Sequence, residues 1–171
     1  MRKAIFITGF NNWGKTTIIN ELFNRNRYDY GWPYRIKGVD FNTEFTVEAH
    51  SNYDYPGQGW MDQIMRRIDR SLDNGQNLFT ALYPTLDNGN NFTNLLQLSP
   101  FSTYDRLYIF LIENKWEHHA KLKINNIIQA SQDIPNATFI TINADQNLIS
   151  DQDRRNAKIN QIRNELNNIF S

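Results

Sequence analysis

The sequence predicts an α/β protein, a three-layer sandwich with a mainly parallel, five-stranded sheet between helices. Three observations carry this. Short apolar runs rich in β-branched and aromatic residues alternate about five times with stretches of helical period. The runs are continuously apolar, as in strands buried on both faces. The length, 171 residues, suits one domain with one core, so residues 1–171 are read as a single unit.

KAIFIT at 3–8 is bounded by Gly9 and reads as the first strand. Ile18, Ile19, Leu22 and Phe23 then recur at helical spacing. IKGVDF at 36–41 reads as a second strand ending near Asp40, and FTVEA downstream can also be strand. HSNYDYPGQG at 50–59 is loop. From Trp60, residues Met61, Ile64, Met65, Ile68 and Leu72 mark one helical face, with Asn74-Gly75 as its stop. NLFTALYP at 77–84, RLYIFLIE at 106–113 and ATFITIN at 137–143 are three further strands. A short helix is expected in NFTNLLQL, and a longer one over 116–130. Ser150-x-x-Asp153 opens the last helix as a capping-box variant.

Composition narrows the function classes. Lys plus Arg and Asp plus Glu are 18 each, so bulk charge gives no reason to expect nucleic acid or an anionic membrane as partner. No run reaches membrane-spanning length, and the apolar stretch near the start is too short and too soon interrupted for a signal peptide. The lack of cysteine excludes disulfides and thiolate metal sites and suits a cytoplasmic location. Asparagine is scattered rather than gathered in tracts, which fits a compositional bias.

The most specific motif is GFNNWGKTT at 9–17, Gly9-x-x-x-x-Gly14-Lys15-Thr16. Backbone N–H groups curling around a phosphate need glycine for conformation and close approach. The helix that follows aims its N-terminus at the anion. In this pattern Lys15 reaches the β- and γ-phosphates and Thr16 offers a hydroxyl to Mg²⁺. A buried strand before the motif and an amphipathic helix after it supply the required context. Gly9, Asn11, Asn12, Trp13, Gly14, Lys15, Thr16 and Thr17 are therefore the candidate nucleotide-binding residues. Bulky Phe10 to Trp13 are tolerable because the loop binds through its backbone, with Trp13 expected to cover the nucleotide or pack on a neighbouring loop.

On this motif, backed by the element order, the chain resembles the P-loop NTPases and, more narrowly, the P-loop kinases for nucleosides, nucleotides and other small molecules. The resemblance implies the P-loop nucleoside triphosphate hydrolase fold, Mg²⁺–ATP as donor and a small-molecule acceptor. It also implies an acid after the second strand and a lid after the fourth, here 114–130. Asp40 takes the acid's place, as a catalytic group or a holder of Mg²⁺. A second acid belongs at the end of the strand facing the phosphate loop. That strand ends Leu82-Tyr83-Pro84, so Asp87, Glu113 or Asp40 alone must serve the metal. Lys115, His118, His119, Lys121 and Lys123 stand where a lid would bring arginines. Adjacent histidines on a helix point in different directions and read as solvated or phosphate-facing rather than metal-binding. Arg66, Arg67 and Arg70 read as an exposed polar face that can reach an anionic acceptor. Tyr28, Tyr30, Trp32, Tyr34, His50, Tyr53, Tyr55 and Trp60 can either stack on a base or sugar or pack beneath loops. The resemblance puts the adenine near Asn143–Asn147.

A small-GTPase switch is the competing resemblance. Asp54-Tyr55-Pro56-Gly57 has the D-x-x-G form, and Asn114-Lys115-Trp116-Glu117 is similar to the guanine-reading N-K-x-D. Against it, the segment before Asp54 is polar, and Glu117 is one methylene longer than the aspartate that pairs with guanine. A nucleotide-binding protein without turnover is the third reading.

Overall fold

The computed structural model describes residues 1–71, 76–115 and 120–171. In chain order the elements are β1 (Lys3–Thr8), α1 (Lys15–Phe23), β2 (Tyr34–Arg35), β3 (Glu44–Glu48), α2 (Gln58–Asp69), β4 (Asn77–Leu82) and α3 (Phe92–Leu95). A 3-10 turn at Phe101–Thr103 precedes β5 (Arg106–Ile112), α4 (Ile124–Ala130), β6 (Ala137–Ile142) and α5 (Asp151–Phe170). The sheet order is β2-β3-β4-β1-β5-β6. Every neighbouring pair is parallel except β2 with β3. The sheet thus has the five parallel strands the sequence predicts, plus a two-residue antiparallel edge.

Alternation along the strands divides the core into two faces. Phe23 of α1 packs edge-on against Phe79 and Phe45, with centroids 5.1 and 6.0 Å apart, and Phe170 of α5 meets Phe45 at 5.3 Å. Ile5 is in register with Phe79 and Val47, so these side chains share the face covered by α1 and α5. Phe6 points the other way, to Phe101, which stacks on Trp60 of α2. Both faces are therefore helix-covered, which explains why the central strands are apolar throughout.

The second parallel strand is β3, not 36–41. Gly38 takes φ +72°, a left-handed conformation that breaks a strand, and the strand lies one segment later. Asp40 consequently precedes β3. It is exposed, and its N–H donates to Asn167 Oδ1 near the end of α5 at 2.8 Å. Lys3 at the start of β1 donates to Ile169 O there, so Asp40 belongs to the amino edge of the sheet. The loop after β1 belongs to the carboxyl edge. Five residues of β3 at roughly 3.3 Å each set about 15 Å between the two edges. Asp40 is withdrawn as a catalytic or metal residue on this ground.

Helix α4 also starts later than the period implies. Asn114 bridges Lys121 antiparallel, and Leu122 N–H donates to Glu113 O at 2.7 Å. This pairing closes a hairpin stem, and helix follows only from Ile124. Ile127 is buried in it, whereas Ile128 faces solvent. Ser150 caps α5 as predicted, its Oγ accepting from Asp153 N–H at 3.1 Å. The Asn74-Gly75 stop and residues 116–119, including Trp116, Glu117 and the histidine pair, lie outside the described residues. Among the described residues no helix is long and apolar enough to cross a membrane.

Candidate functional site

The connection from β1 runs toward β3, and that from β5 runs toward β6. Adjacent strands whose connections diverge leave a crevice at their carboxyl ends, where ligands bind in open α/β sheets. The cavity is there. It measures about 770 Å³, and residues 11–18 form one wall. Ser51 and Asp54, from the loop after β3, border it, as does Lys115 beyond β5. Asp151, Arg155 and Lys158 of α5 complete it.

The wall is shaped by backbone conformation. Asn12 and Gly14 take positive φ, +63° and +82°, with Trp13 between them. Trp13 N–H donates back to Phe10 O at 3.3 Å. Alternating handedness turns successive N–H groups inward and forms an anion-binding concavity. Gly14 is also the N-cap of α1. It has no side chain to satisfy the helix's first N–H groups, and the first turn holds no acid. Those donors are left for an anion.

Trp13 is buried and packs inward. Its ring meets Phe10 edge-on at 5.5 Å, and Phe10 meets Tyr83 at 5.9 Å. A Cβ on Gly9 would come within 3.2 Å of Trp13 Cβ, so the glycine makes room for the tryptophan. Gly9 is behind the cavity wall, its N–H donating to Leu82 O at 3.2 Å. The other candidate residues of the loop, Asn11 through Thr17, all border the cavity.

Lys15 is buried, and its Nζ donates to Phe10 O at 2.7 Å. Burial pulls its pKa down from the ordinary 10.5 to about 8, partly offset by the Asp54 carboxylate. Thr16 Oγ1 donates its proton to Ala49 O at 3.0 Å, leaving the oxygen lone pairs for a ligand. Asp54 Oδ2 accepts from Ser51 N–H at 2.9 Å, and no described residue donates to Oδ1. At the opposite end Lys158 pairs with Asp145 at 2.5 Å, both buried, and Arg155 pairs with Glu21 of α1 at 3.2 Å.

The other expected roles separate. Asp87 is exposed in the turn after β4, its N–H held by Thr85 Oγ1, and it does not border the cavity. The turn packs instead on Gly57, where a Cβ would fall 2.2 Å from Gly89 O. Asp87 is therefore withdrawn as a metal residue. Glu113 is also away from the cavity wall. The N–H groups of Asn143 and Ala144 are both taken by Gln161 Oε1 at 2.9 Å, so they are not open to a base. Arg67 is not part of an exposed face. It is buried against Glu48 and donates to Tyr28 O at 3.0 Å. Tyr28, Tyr34 and Trp60 are core residues, whereas Trp32, Tyr53 and Tyr55 remain exposed.

Sequence reasoning did not assign site roles to Ser51, Asp151, Arg155 or Lys158, and it used Asp54 only in the switch motif. Their signal lay in placing β3 correctly: the acid after that strand is Asp54. The α5 residues gave no local signal, since only the fold of α5 over α1 brings them in. Comparison with protein-family models, with curated proteins and with solved structures gave no match to this chain.

Proposed function

We propose that the chain binds a nucleoside triphosphate, ATP, at the Gly9–Thr17 loop and transfers its γ-phosphoryl group to a small-molecule acceptor of the nucleoside or nucleotide class. One observation carries this reading: a single cavity gathers, around the phosphate loop, an uncapped helix N-terminus, a buried lysine, a threonine oxygen and the Asp54 carboxylate. Phosphoryl transfer asks a protein mainly for positioning and charge stabilisation, and this set supplies both. The first-turn N–H groups of α1 hold the phosphates. Lys15 exchanges Phe10 O for a phosphate oxygen, and Asp54 orients the acceptor hydroxyl or the metal's shell.

Mg²⁺ fits the residues present. Among the described residues no three His, Cys, Asp or Glu side chains cluster to cage a metal. Mg²⁺ at nucleotide sites takes one or two protein oxygens and completes its shell with phosphates and water. Thr16 Oγ1 and Asp54 would hold it, and it would neutralise charge on the phosphates. Asp54 lies six residues beyond the end of β3, and β4 separates β3 from β1. That arrangement supports an acid serving an acceptor rather than the strand-end aspartate of the GTPase switch.

A screen for transfer from γ-labelled ATP to nucleosides, nucleotides and sugars tests the reading. One acceptor should be labelled, and Asp54→Asn should lower its kcat by on the order of tenfold or more. Labelling of no acceptor, or an Asp54→Asn enzyme as fast as wild type, would contradict it.

Proton linkage gives a further expected result. In the free protein Lys15 loses its proton above about pH 8, whereas bound phosphates favour the charged form. Affinity for Mg²⁺–ATP should fall as pH rises beyond 8, with proton uptake on binding visible by calorimetry in buffers of different ionisation heat. The folded pKa is below the unfolded value of 10.5. The unfolded chain therefore binds more protons between 8 and 10.5, and this group makes stability of the free protein rise with pH across that window.

A further inference from the structure

Of the two carboxylates bordering the cavity, Asp151 sits on α5, whereas Asp54 belongs to a segment, 49–57, with no regular structure until α2 begins. Asp54 is fixed locally to Ser51, whose carbonyl accepts from the N–H groups of Asp54 and Tyr55 at 3.1 and 3.2 Å. Such a turn sets its own shape but not its place relative to α1.

Two asparagines outside the cavity wall set that place. Asn52 is fully buried. Its Oδ1 accepts from Tyr83 N–H at 2.7 Å, and its Nδ2 donates to Tyr83 O at 2.9 Å. The side-chain amide thus imitates a strand neighbour and extends pairing one residue past the end of β4. Asn90 closes the other side. Its Nδ2 donates to Asn52 O at 2.8 Å, and its Oδ1 accepts from Gly57 N–H at 2.7 Å. The two amides also meet, Asn52 Nδ2 donating to Asn90 Oδ1 at 3.3 Å. Asn90 therefore grips the segment at residues 52 and 57, with Asp54 between them. Gly57 allows this close approach, since a Cβ there would lie 2.2 Å from Gly89 O.

The Nδ2 donor of each amide has an acceptor, and Asn90 Oδ1 takes two donors. An amide supplies a donor and an acceptor on one planar group. Aspartate has the same shape without the donor, so it would turn attractive contacts with Asn52 O or Tyr83 O into repulsive ones. Buried polar networks of this kind fix geometry when complete and lose it when one member is changed.

We propose that Asn52 and Asn90 are positioning residues that hold Asp54 beside the phosphate-binding end of α1, where it supports Mg²⁺–triphosphate binding. This rests on the reading of the cavity given above. Neither asparagine touches nucleotide; both act through Asp54.

The test is the Mg²⁺ advantage, the ratio of the Kd for ATP in EDTA to the Kd with Mg²⁺. It is measured by calorimetry for wild type, Asn90→Asp, Asp54→Asn and the double variant. Asn90→Asp should lower the advantage by on the order of tenfold, the scale of a lost supporting hydrogen bond at a metal site. Its Mg²⁺-free ATP affinity should stay near wild type. The double variant should have no smaller advantage than Asp54→Asn alone, because the asparagine has nothing left to position. A merely structural asparagine would lower Tm and leave the ratio unchanged, and that result overturns the proposal. So does additivity in the double variant. If Asn90→Asp does not fold, Asn90→Ser, which keeps a donor, is held to the same two criteria. A wild-type protein that binds ATP with no Mg²⁺ advantage removes the proposal but leaves phosphate binding standing. A wild-type protein that binds no ATP removes both.

Discussion

Lys15→Ala should weaken Mg²⁺–ATP binding by at least about 100-fold without lowering stability. The ammonium is a charged donor buried in the phosphate-loop wall of the cavity. Hydrogen bonds to charged groups contribute about 1.5–3 kcal/mol each, and about 1.4 kcal/mol is tenfold in Kd. Losing contacts to two phosphates therefore reaches two orders of magnitude. The folded chain gains little from this lysine. Its charge is disfavoured by burial, as its lowered pKa shows, and its hydrogen bond goes to one loop carbonyl. Tm of the free variant should match or exceed wild type. Lys15→Arg should not rescue binding, because a planar guanidinium does not fit where a compact ammonium reaches between phosphates. Calorimetric titration checks the affinity and thermal melting checks the fold. A variant that binds ATP as wild type does would remove Lys15 from the site.

Arg67→Met is expected to give the largest loss of stability. Arg67 lies on α2, and its partner Glu48 ends β3 with 1% of its side chain exposed. Nε of the arginine meets one carboxylate oxygen, and His50 Nδ1 lies 2.9 Å from the other. The guanidinium also donates to Tyr28 O at 3.0 Å and covers the Tyr30 ring at 4.3 Å. One residue thus ties α2 to the sheet and to the connection after α1. Removing one partner of a buried pair strands the other charge, at a cost of about 3–5 kcal/mol. For a chain of this size that is a fall of roughly 10 °C in Tm. The double change Glu48→Gln with Arg67→Met should recover much of the loss, since no buried charge remains. Urea melts of the two single variants and the double variant measure this coupling. Additive losses would show that the pair is not what binds α2 to β3.

The sequence made the architecture legible because burial on both faces leaves near-continuous apolar runs, as in β1, β4 and β5. It misplaced the second strand because IKGVDF, with three apolar residues in six, reads as a strand at least as well as EFTVE, with two in five. The distinguishing feature was Gly38, whose positive φ ends any strand through it. That one slip moved the expected acid from Asp54 to Asp40, from one edge of the sheet to the other. The shape of the Gly9–Thr17 loop was legible because it follows from backbone conformation and glycine spacing between a strand and a helix. The far end of the cavity was not. Arg155 and Lys158 belong to a helix more than a hundred residues away in sequence, and only the packing of α5 beside α1 brings them in. Asn52 and Asn90 were hidden for another reason. Asparagine is common throughout this chain, and an amide acting as a strand neighbour has no sequence pattern of its own.

The central claim is that the Gly9–Thr17 loop holds the phosphates of a nucleoside triphosphate. Titration of ¹⁵N-labelled protein with a non-hydrolysable Mg²⁺–ATP analogue, followed residue by residue, tests it most directly. The largest shifts should fall on the amides of Asn12 to Thr17, with smaller ones at Ser51, Asp54 and Lys115. Shifts centred on the second cavity, around Arg25, Tyr34 and Lys37, or no shifts at millimolar analogue, would contradict the claim.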